Sequence, residues 1–360
     1  MTVKNWSTLF VTVALVLLGT QVLAADAQYP VKDSKFPANE LATQVFWLDN
    51  ERILFYGYEP GSYPTPGGDR GFKTGMYVWN IREDRVRHFP NTGGELCYDH
   101  GYISYVRLDP NNPGEFLHYS GKIGEEKPAR YIRGRGRNDF SCRYYDSYPD
   151  SLPADRTTRL LHDAHGYLDL GLPRGQGWSL ENAPVTFYRR GSSEGVRLPF
   201  GQREIATIRF SVFNSAYLLY GGYIDQAGID NSWPIGKPQP LWILKPDGNV
   251  SQIMMPAGPW NSRGSTMYFL TKKGVFIVSH HFSSVSDAGP GGAYLFDGAK
   301  VGNLVTGQVN AANVAPDGCK VAFVFALNTI AAVEGFKAMQ TGGAPTQTLR
   351  MVDLCAGDGP

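Results

Sequence analysis

The chain has 360 residues, of which 42% are hydrophobic and 19% are charged, and its formal net charge is +1. This length is enough for one large domain or two ordinary domains with a substantial core. The near-neutral charge gives no reason to expect nucleic acid or an anionic membrane as the main partner. The 42 glycines, 24 prolines and 20 tyrosines indicate many short strands joined by turns.

Residues 1–24 are predicted to be a signal peptide. Lys4 supplies a positive start, Leu9 to Leu23 form an apolar run, and small residues follow, with cleavage expected after Ala24. A retained anchor is the alternative, but the run is short for a membrane span of about 20 residues. No later segment is apolar enough to span a bilayer, so residues 25–360 are expected to form one exported domain, periplasmic or secreted.

The exported part reads as repeated pairs of β-hairpins. Residues 44–59 and 75–90 each contain two apolar runs around a charged turn, and together they predict four antiparallel strands. A third unit is less regular, with hairpins predicted at 159–172 and 185–200, which leaves residues 139–156 as an insertion between the second and third units. The same plan recurs at 95–108 with the strands after it, at 206–223 with 240–255, and at 265–281 with the following hairpin.

The last unit lacks a strand. Residues 314–328 and 348–355 supply three strands at most, and little sequence follows them. Residues 29–40 end in a proline-containing exit, as the outer strands of other units do, and we predict that they provide the missing outer strand. Such closure leaves no frayed edge at the join. The predicted fold is therefore all-β: a six-bladed β-propeller of four-stranded antiparallel blades, with the N-terminal strand completing the last blade.

The stretch "APDGCKVAF", Ala315 to Phe323, resembles the turn between the inner strands of TolB-like and dipeptidyl-peptidase propellers. "KPDGNV", Lys245 to Val250, matches only the turn. The resemblance implies a six-bladed propeller and transfers no catalytic residue. The peptidase members carry an additional α/β-hydrolase domain, for which this sequence offers no residues.

Four cysteines in an exported chain are expected to pair. Cys319 begins one strand of the last blade and Cys355 ends its antiparallel neighbour, which favours a Cys319–Cys355 disulfide. Cys97 lies in the second blade and Cys142 in the insertion after it, so a Cys97–Cys142 disulfide is predicted to staple the insertion.

Motifs that suggest chemistry have simpler interpretations. His162 and His165 resemble metal ligands, but His165 aligns with His100 in a strand-to-strand turn, and we predict no metal site. "GSSEG", Gly191 to Gly195, matches the serine-hydrolase pattern but joins two strands as a hairpin loop rather than a strand to a helix. The arginine-rich stretch 130–140 is interpreted as a solvated or partner-facing loop. No cofactor is expected.

Loop lengths carry the functional prediction. Turns after the first and third strands are short, whereas second-to-third connections are mostly long and are expected to emerge on one face of the propeller. That face is predicted to bind a protein or a saccharide, with the protein acting as a monomeric binding or scaffolding module. The alternative is a hydrolase or lyase at the channel mouth, which requires convergent groups such as Asp225, Asp230, Asp287 and His280; an assembly subunit is a third possibility. The partner-binding residues predicted on this face are Tyr63, Arg70, Trp178, Asp225, Asp230, Trp233 and His280.

Overall fold

The structure is a computed structural model of the chain. It describes residues 29–38, 45–59, 74–89, 96–99, 102–109, 111–112, 114–122, 125–130, 153, 155–161, 165–176, 182–221, 223–225, 228–230, 237–258, 260, 266–279, 291–326 and 347–358. In these ranges no helix is both long enough and apolar enough to cross a bilayer.

The described residues contain twenty-six strands, which form six four-stranded antiparallel sheets and one small hairpin. Strand β1 (Val31–Pro37) precedes the first blade. Blade one contains β2 (Val45–Trp47), β3 (Arg52–Tyr58), β4 (Thr74–Asn80) and β5 (Arg85–Phe89). Blade two contains β6 (Leu96–Asp99), β7 (Tyr102–Leu108), β8 (Phe116–Lys122) and β9 (Lys127–Arg130). Blade three contains β10 (Arg156–Leu160), β11 (Gly166–Pro173), β12 (Pro184–Arg189) and β13 (Gly195–Gly201).

The second half of the chain repeats the plan. Blade four contains β14 (Thr207–Ser211), β15 (Ala216–Tyr220), β18 (Gln239–Leu244) and β19 (Val250–Met255), with the hairpin β16 (Tyr223–Asp225) and β17 (Gly228–Asp230) between its second and third strands. Blade five contains β20 (Thr266–Thr271), β21 (Gly274–Ser279), β22 (Gly292–Phe296) and β23 (Val301–Thr306). Blade six contains β24 (Gln308–Val314), β25 (Lys320–Ala326) and β26 (Gln347–Asp353), and β1 completes it.

The predicted closure of the last blade is confirmed. Strand β1 pairs antiparallel with β26, with Val31 opposite Val352 and Asp33 opposite Arg350. The sheet order β1-β26-β25-β24 makes the N-terminal strand the outer strand of blade six. The chain is therefore a six-bladed β-propeller whose two ends share one sheet.

The described core lies mainly between blades rather than within them. Val45, Trp47 and Ile53 of blade one pack in one cluster with Ala322 and Leu349 of blade six. Further clusters join blades five and six, blades four and five, blades three and four, and blades one and two. Because each face of a blade is buried against its neighbour, alternating side chains on both faces are apolar, which explains strands such as β15 that are buried throughout.

One of the two predicted disulfides is confirmed. Cys319 and Cys355 are bonded, with their Cα atoms 5.3 Å apart, and they tie the start of β25 to the end of β26. Cys142 lies outside the described residues, and of Cys97 only the backbone in β6 is described, so the Cys97–Cys142 bond stays a prediction. The signal peptide 1–24 and most of the insertion 139–156 also lie outside the described residues.

Candidate functional site

The two ends of the propeller differ in the length of their connections. Antiparallel neighbours reverse at alternate ends of a sheet, so first-to-second and third-to-fourth turns lie at one end and second-to-third connections at the other. We call the first end the short-turn face, and it carries turns such as 48–51, 212–215, 272–273 and 315–319. We call the other end the long-loop face; the strands that end there are separated in the sequence by longer segments, such as 59–73, 221–238 and 327–346.

Aspartates hold several turns of the short-turn face in shape. Oδ1 of Asp317 accepts a hydrogen bond from the backbone N–H of Cys319, and Asp247 accepts one from the N–H of Asn249. In blade five, Asp297 accepts bonds from the N–H groups of Lys300 and Ala299. These backbone donors lower the pKa of Asp297, and the Asn249 donor lowers the pKa of Asp247, so both carboxylates stay charged as turn-formers.

Most of the predicted partner-binding residues lie outside the described residues. This is the case for Tyr63, Arg70, Trp178, Trp233 and His280, as well as for Asp287. Their predicted assignment to the long-loop face follows from the connections in which they occur, and it stays a prediction.

The backbones of Asp225 and Asp230 fall in the small hairpin of the long-loop face. Asp225 pairs with Gly228, and Asp230 pairs with Tyr223. The structure therefore brings these two chain positions into one hairpin that branches from blade four. This hairpin was not predicted from the sequence, which indicated only a long connection between the segments 206–223 and 240–255.

A cavity of about 320 Å³ opens at the short-turn face. Its walls come from the ends of the innermost strands of blades one, four, five and six and from the turns that follow three of them. It is therefore the short-turn mouth of the central channel. The lining residues are Trp47 to Asn50, Arg209 to Val212, Leu218, Phe269, Leu270 and Asn313 to Pro316.

Hydrogen bonds between blades one and six hold one wall of this cavity. Trp47 donates from Nε1 to the carbonyl of Asn313 over 2.9 Å, and Asn313 donates from Nδ2 to the carbonyl of Val45 over 2.8 Å. Next to them, Oδ1 of Asn50 accepts from the backbone N–H of Asp317 over 3.0 Å. The innermost strands β2 and β24 are therefore fixed to each other where they line the cavity.

Arg209 forms the charged part of the opposite wall. Its Nε donates to the hydroxyl of Tyr220 over 3.0 Å, and its Cζ lies 4.4 Å from the ring centroid of Phe269 on the neighbouring blade. The Tyr220 hydroxyl also accepts a bond from the backbone N–H of Tyr268. The guanidinium is thus anchored through one nitrogen and stacked on an aromatic ring across the interface between blades four and five.

Two motifs singled out in the sequence have structural roles. Nδ1 of His165 lies 2.5 Å from the hydroxyl of Tyr217, which fixes blade three to blade four. The "GSSEG" stretch is the turn between β12 and β13, where Ser192 Oγ accepts from the N–H of Glu194, and this agrees with the hairpin interpretation. Among the described residues, no three potential ligands from histidine, cysteine, aspartate and glutamate gather as a metal centre would require.

The cavity was not predicted from the sequence. Its residues belong to four separated segments, and each segment alone reads as the end of a buried strand followed by a turn. A usable signal is Arg209, a charge between Ile208 and Phe210 in the middle of β14, because a charge flanked by apolar residues in a strand has to meet water, a partner or an aromatic face.

Comparisons with known proteins find similar folds. No protein-family model matches the chain, and no curated protein sequence matches it. The β-propeller domain of the Trilobed protease from Pyrococcus furiosus is 12% identical, with a TM-score of 0.31 over 81% of this chain and 78% of that chain. TolB from Acinetobacter baumannii is 14% identical, with a TM-score of 0.32 over 79% of this chain and 56% of that chain. An oligogalacturonate lyase in complex with manganese is 10% identical, with a TM-score of 0.36 over 92% and 94% of the two chains.

Proposed function

We propose that the protein is an exported binding module that engages a protein partner through its long-loop face. One observation carries the proposal: in the closed propeller, the strands are joined by short turns at one face and by longer segments of sequence at the other. Binding residues are found preferentially on loops held by a rigid scaffold.

The rigidity of the scaffold supports this function. Strand β1 closes the last blade, the Cys319–Cys355 bond ties two of its strands, and hydrogen bonds between blades one and six fix the innermost strands. A scaffold that is fixed before a partner binds loses little conformational entropy on binding. The disulfide also agrees with an oxidising location outside the cytoplasm.

The composition of the long connections favours a protein partner. Tyr63, Arg70, Trp178 and Trp233 occur in them, and Trp, Tyr and Arg are enriched among the few residues that dominate the binding energy of protein interfaces. A saccharide partner is an outcome that the experiment below distinguishes.

Photo-crosslinking in the source cells tests the proposal. A photoreactive phenylalanine analogue replaces Trp233 in the long connection of blade four, and the matched control replaces the exposed Lys245 in a short turn of the same blade. We expect a discrete protein adduct from position 233 and none from position 245. Combined alanine substitution of Tyr63, Trp178 and Trp233 is expected to abolish that interaction while the protein remains folded and exported.

An adduct from position 245 alone would place the interface on the short-turn face and contradict the proposal. No protein adduct from position 233, with the protein folded and exported, would reject the protein-binding function. Polysaccharide binding and turnover assays on the parent protein and on Asp225→Asn and Asp230→Asn variants then distinguish a saccharide-binding module from a hydrolase or lyase. Loss of turnover in both variants would establish the enzyme alternative.

A further inference from the structure

The cavity at the short-turn mouth of the channel lies on the face opposite the proposed partner surface. We propose that it is a separate site for a small organic carboxylate with an apolar body, and that Arg209 binds the carboxylate. The site rests on the geometry of the described residues and is independent of the proposed function of the long-loop face.

The guanidinium of Arg209 is held in place, and its two Nη groups remain available as hydrogen-bond donors to a ligand. Its Nε is engaged by Tyr220, and one of its faces lies against Phe269. In the ranges that the structure describes, the two Nη atoms have no hydrogen-bond partner and no carboxylate lies within salt-bridge distance of Arg209. A planar guanidinium with free Nη donors matches the two oxygens of a carboxylate.

The other charged residue of the described lining is already neutralised. Oδ2 of Asp49 lies 2.6 Å from both Nε and Nη2 of Arg52, and Oδ1 accepts bonds from the backbone N–H groups of Glu51 and Arg52. The carboxylate of Asp49 therefore has its own partners, and the positive charge of Arg209 is the uncompensated charge of the described cavity wall. A half-buried charge for which the described residues supply no counter-ion favours an anionic ligand.

The rest of the wall is largely apolar. Its aromatic and aliphatic lining residues are Trp47, Phe210, Leu218, Phe269, Leu270 and Val314, and the Phe269 ring lies against the guanidinium. The volume of about 320 Å³ lies at the lower end of the range for ligand pockets, which suits a molecule with one ring or a short chain. A carboxylate with an apolar body can pair with Arg209 and bury its apolar part against the lining. An inorganic anion can only pair with Arg209, so we expect it to bind more weakly.

The wall is preorganised before a ligand arrives. The bonds between Trp47 and Asn313 fix one side, and the Tyr220 hydroxyl and the Phe269 ring fix the other. Little ordering entropy is then lost when the carboxylate binds.

Calorimetric titration of the purified protein tests the site with two probes of the same shape. The probes are 3-phenylpropionate and its neutral amide, 3-phenylpropionamide, with inorganic phosphate as a third titrant. We expect the carboxylate to bind at least tenfold more tightly than the amide, because the amide lacks the charge that pairs with Arg209. We expect phosphate to bind at least tenfold more weakly than the carboxylate.

Variants assign the binding to Arg209. Arg209→Gln is expected to lower the affinity for 3-phenylpropionate at least tenfold, and Arg209→Lys is expected to give an intermediate affinity because it keeps the charge and loses the planar fork. The matched control is Arg159→Gln, since Arg159 is an arginine of the neighbouring innermost strand that donates to the carbonyl of Ala206 and is absent from the described cavity wall. Its affinity is expected to equal that of the parent protein.

Three results would overturn the proposal. The first is no binding of 3-phenylpropionate, hexanoate or phenylacetate at millimolar concentration. The second is equal affinity of the parent protein for the carboxylate and the amide, a comparison that does not depend on any variant folding correctly. The third is unchanged affinity in an Arg209→Gln protein whose circular dichroism and melting temperature match those of the parent.

Discussion

Arg350 on the last strand donates from Nε to Oδ2 of Asp33 on the first strand over 2.9 Å, and so joins two residues that are 317 positions apart. Thr348 donates to the same oxygen over 3.1 Å, and the Cζ of Arg350 lies 3.8 Å from the ring centroid of Phe325. The carboxylate of Asp33 thus makes the side-chain connection between β1 and β26 that accompanies their backbone pairing.

Replacing Asp33 with alanine should weaken the closure of the propeller. The change removes a charge-assisted hydrogen bond and the partner of Thr348, and both charged side chains are about 30% exposed. We expect the free energy of unfolding in urea to fall by about 1–2 kcal/mol.

The control for this prediction is Glu83→Ala, which breaks the more exposed pair with Arg87. That pair should contribute less than about 0.5 kcal/mol. Equal effects of the two substitutions would mean that Asp33 contributes no more than an ordinary surface ion pair.

Serine substitution of both Cys319 and Cys355 should destabilise the last blade. The bond joins residues separated by 36 positions, and on the chain-entropy model a loop of that length corresponds to about 3–4 kcal/mol of folding stability. Urea unfolding of the double variant should therefore show a lower midpoint than that of the parent under non-reducing conditions. Coincident unfolding curves would show that the other contacts of blade six suffice to hold β25 and β26 together.

Mass spectrometry of peptides from the unreduced protein tests the remaining pair. We expect one peptide that links Cys97 to Cys142 and another that links Cys319 to Cys355. Reduction should release both pairs. A peptide that links Cys142 to any cysteine other than Cys97 contradicts the predicted attachment of the insertion.

The two Pro-Asp-Gly turns offer a matched pair of glycine substitutions. Gly318 and Gly248 both have positive φ, at 74° and 91°, so alanine introduces similar backbone strain at each position. A Cβ at Gly318 would also lie 2.7 Å from Cγ of Phe213, whereas the nearest atom to a Cβ at Gly248 is 3.6 Å away. Gly318→Ala should therefore lower the free energy of unfolding by about 1–3 kcal/mol more than Gly248→Ala.

Urea unfolding of the two alanine variants gives this difference directly, because the backbone contribution cancels between them. Similar losses at both positions would mean that Phe213 moves aside at little cost.

Tyr268 links stability to alkaline pH. Its hydroxyl donates to Oε1 of Gln239 over 2.7 Å, and burial, followed by the nearby Tyr220, raises the pKa of Tyr268 far above the ordinary 10.0. Below pH 10 the hydroxyl is protonated in both states. Above that pH the unfolded chain loses the proton first, so the free energy of unfolding should fall by up to about 1.4 kcal/mol per pH unit from this group.

Comparison with Tyr268→Phe between about pH 9 and pH 11 checks the assignment. The phenylalanine variant should be about 1–2 kcal/mol less stable at neutral pH, because Gln239 loses its donor. Its stability should then fall less steeply above pH 10. Parallel pH profiles of the two proteins would show that Tyr268 does not contribute to the alkaline loss.

The fold was predictable because its signals are local. Turn residues such as Asp247 and Asp317 mark the hairpins, and the proline-containing exit near Pro37 identified β1 as an outer strand. The Cys319–Cys355 pair followed from the antiparallel order of two strands. The small hairpin from Tyr223 to Asp230 was missed, because its two short strands have no apolar alternation to indicate them.

The cavity was not predictable in the same way. Trp47, Arg209 and Asn313 meet only after the propeller closes, and nothing in the sequence near Arg209 indicates that Phe269 will lie beneath it. Local patterns determine which strands form and where they turn. The residues that line the channel are set by which ends of the innermost strands face each other across it.

Closure by β1 also constrains the order of events during translation. Strand β1 is synthesised before the strands of blades one to five, whereas its partner β26 is synthesised after them. The sixth blade therefore cannot be completed until all five other blades have been synthesised, and those blades assemble beside an open seam. Unpaired strand edges are templates for aggregation, so the period between synthesis of blade five and docking of β1 is when the nascent chain most needs protection.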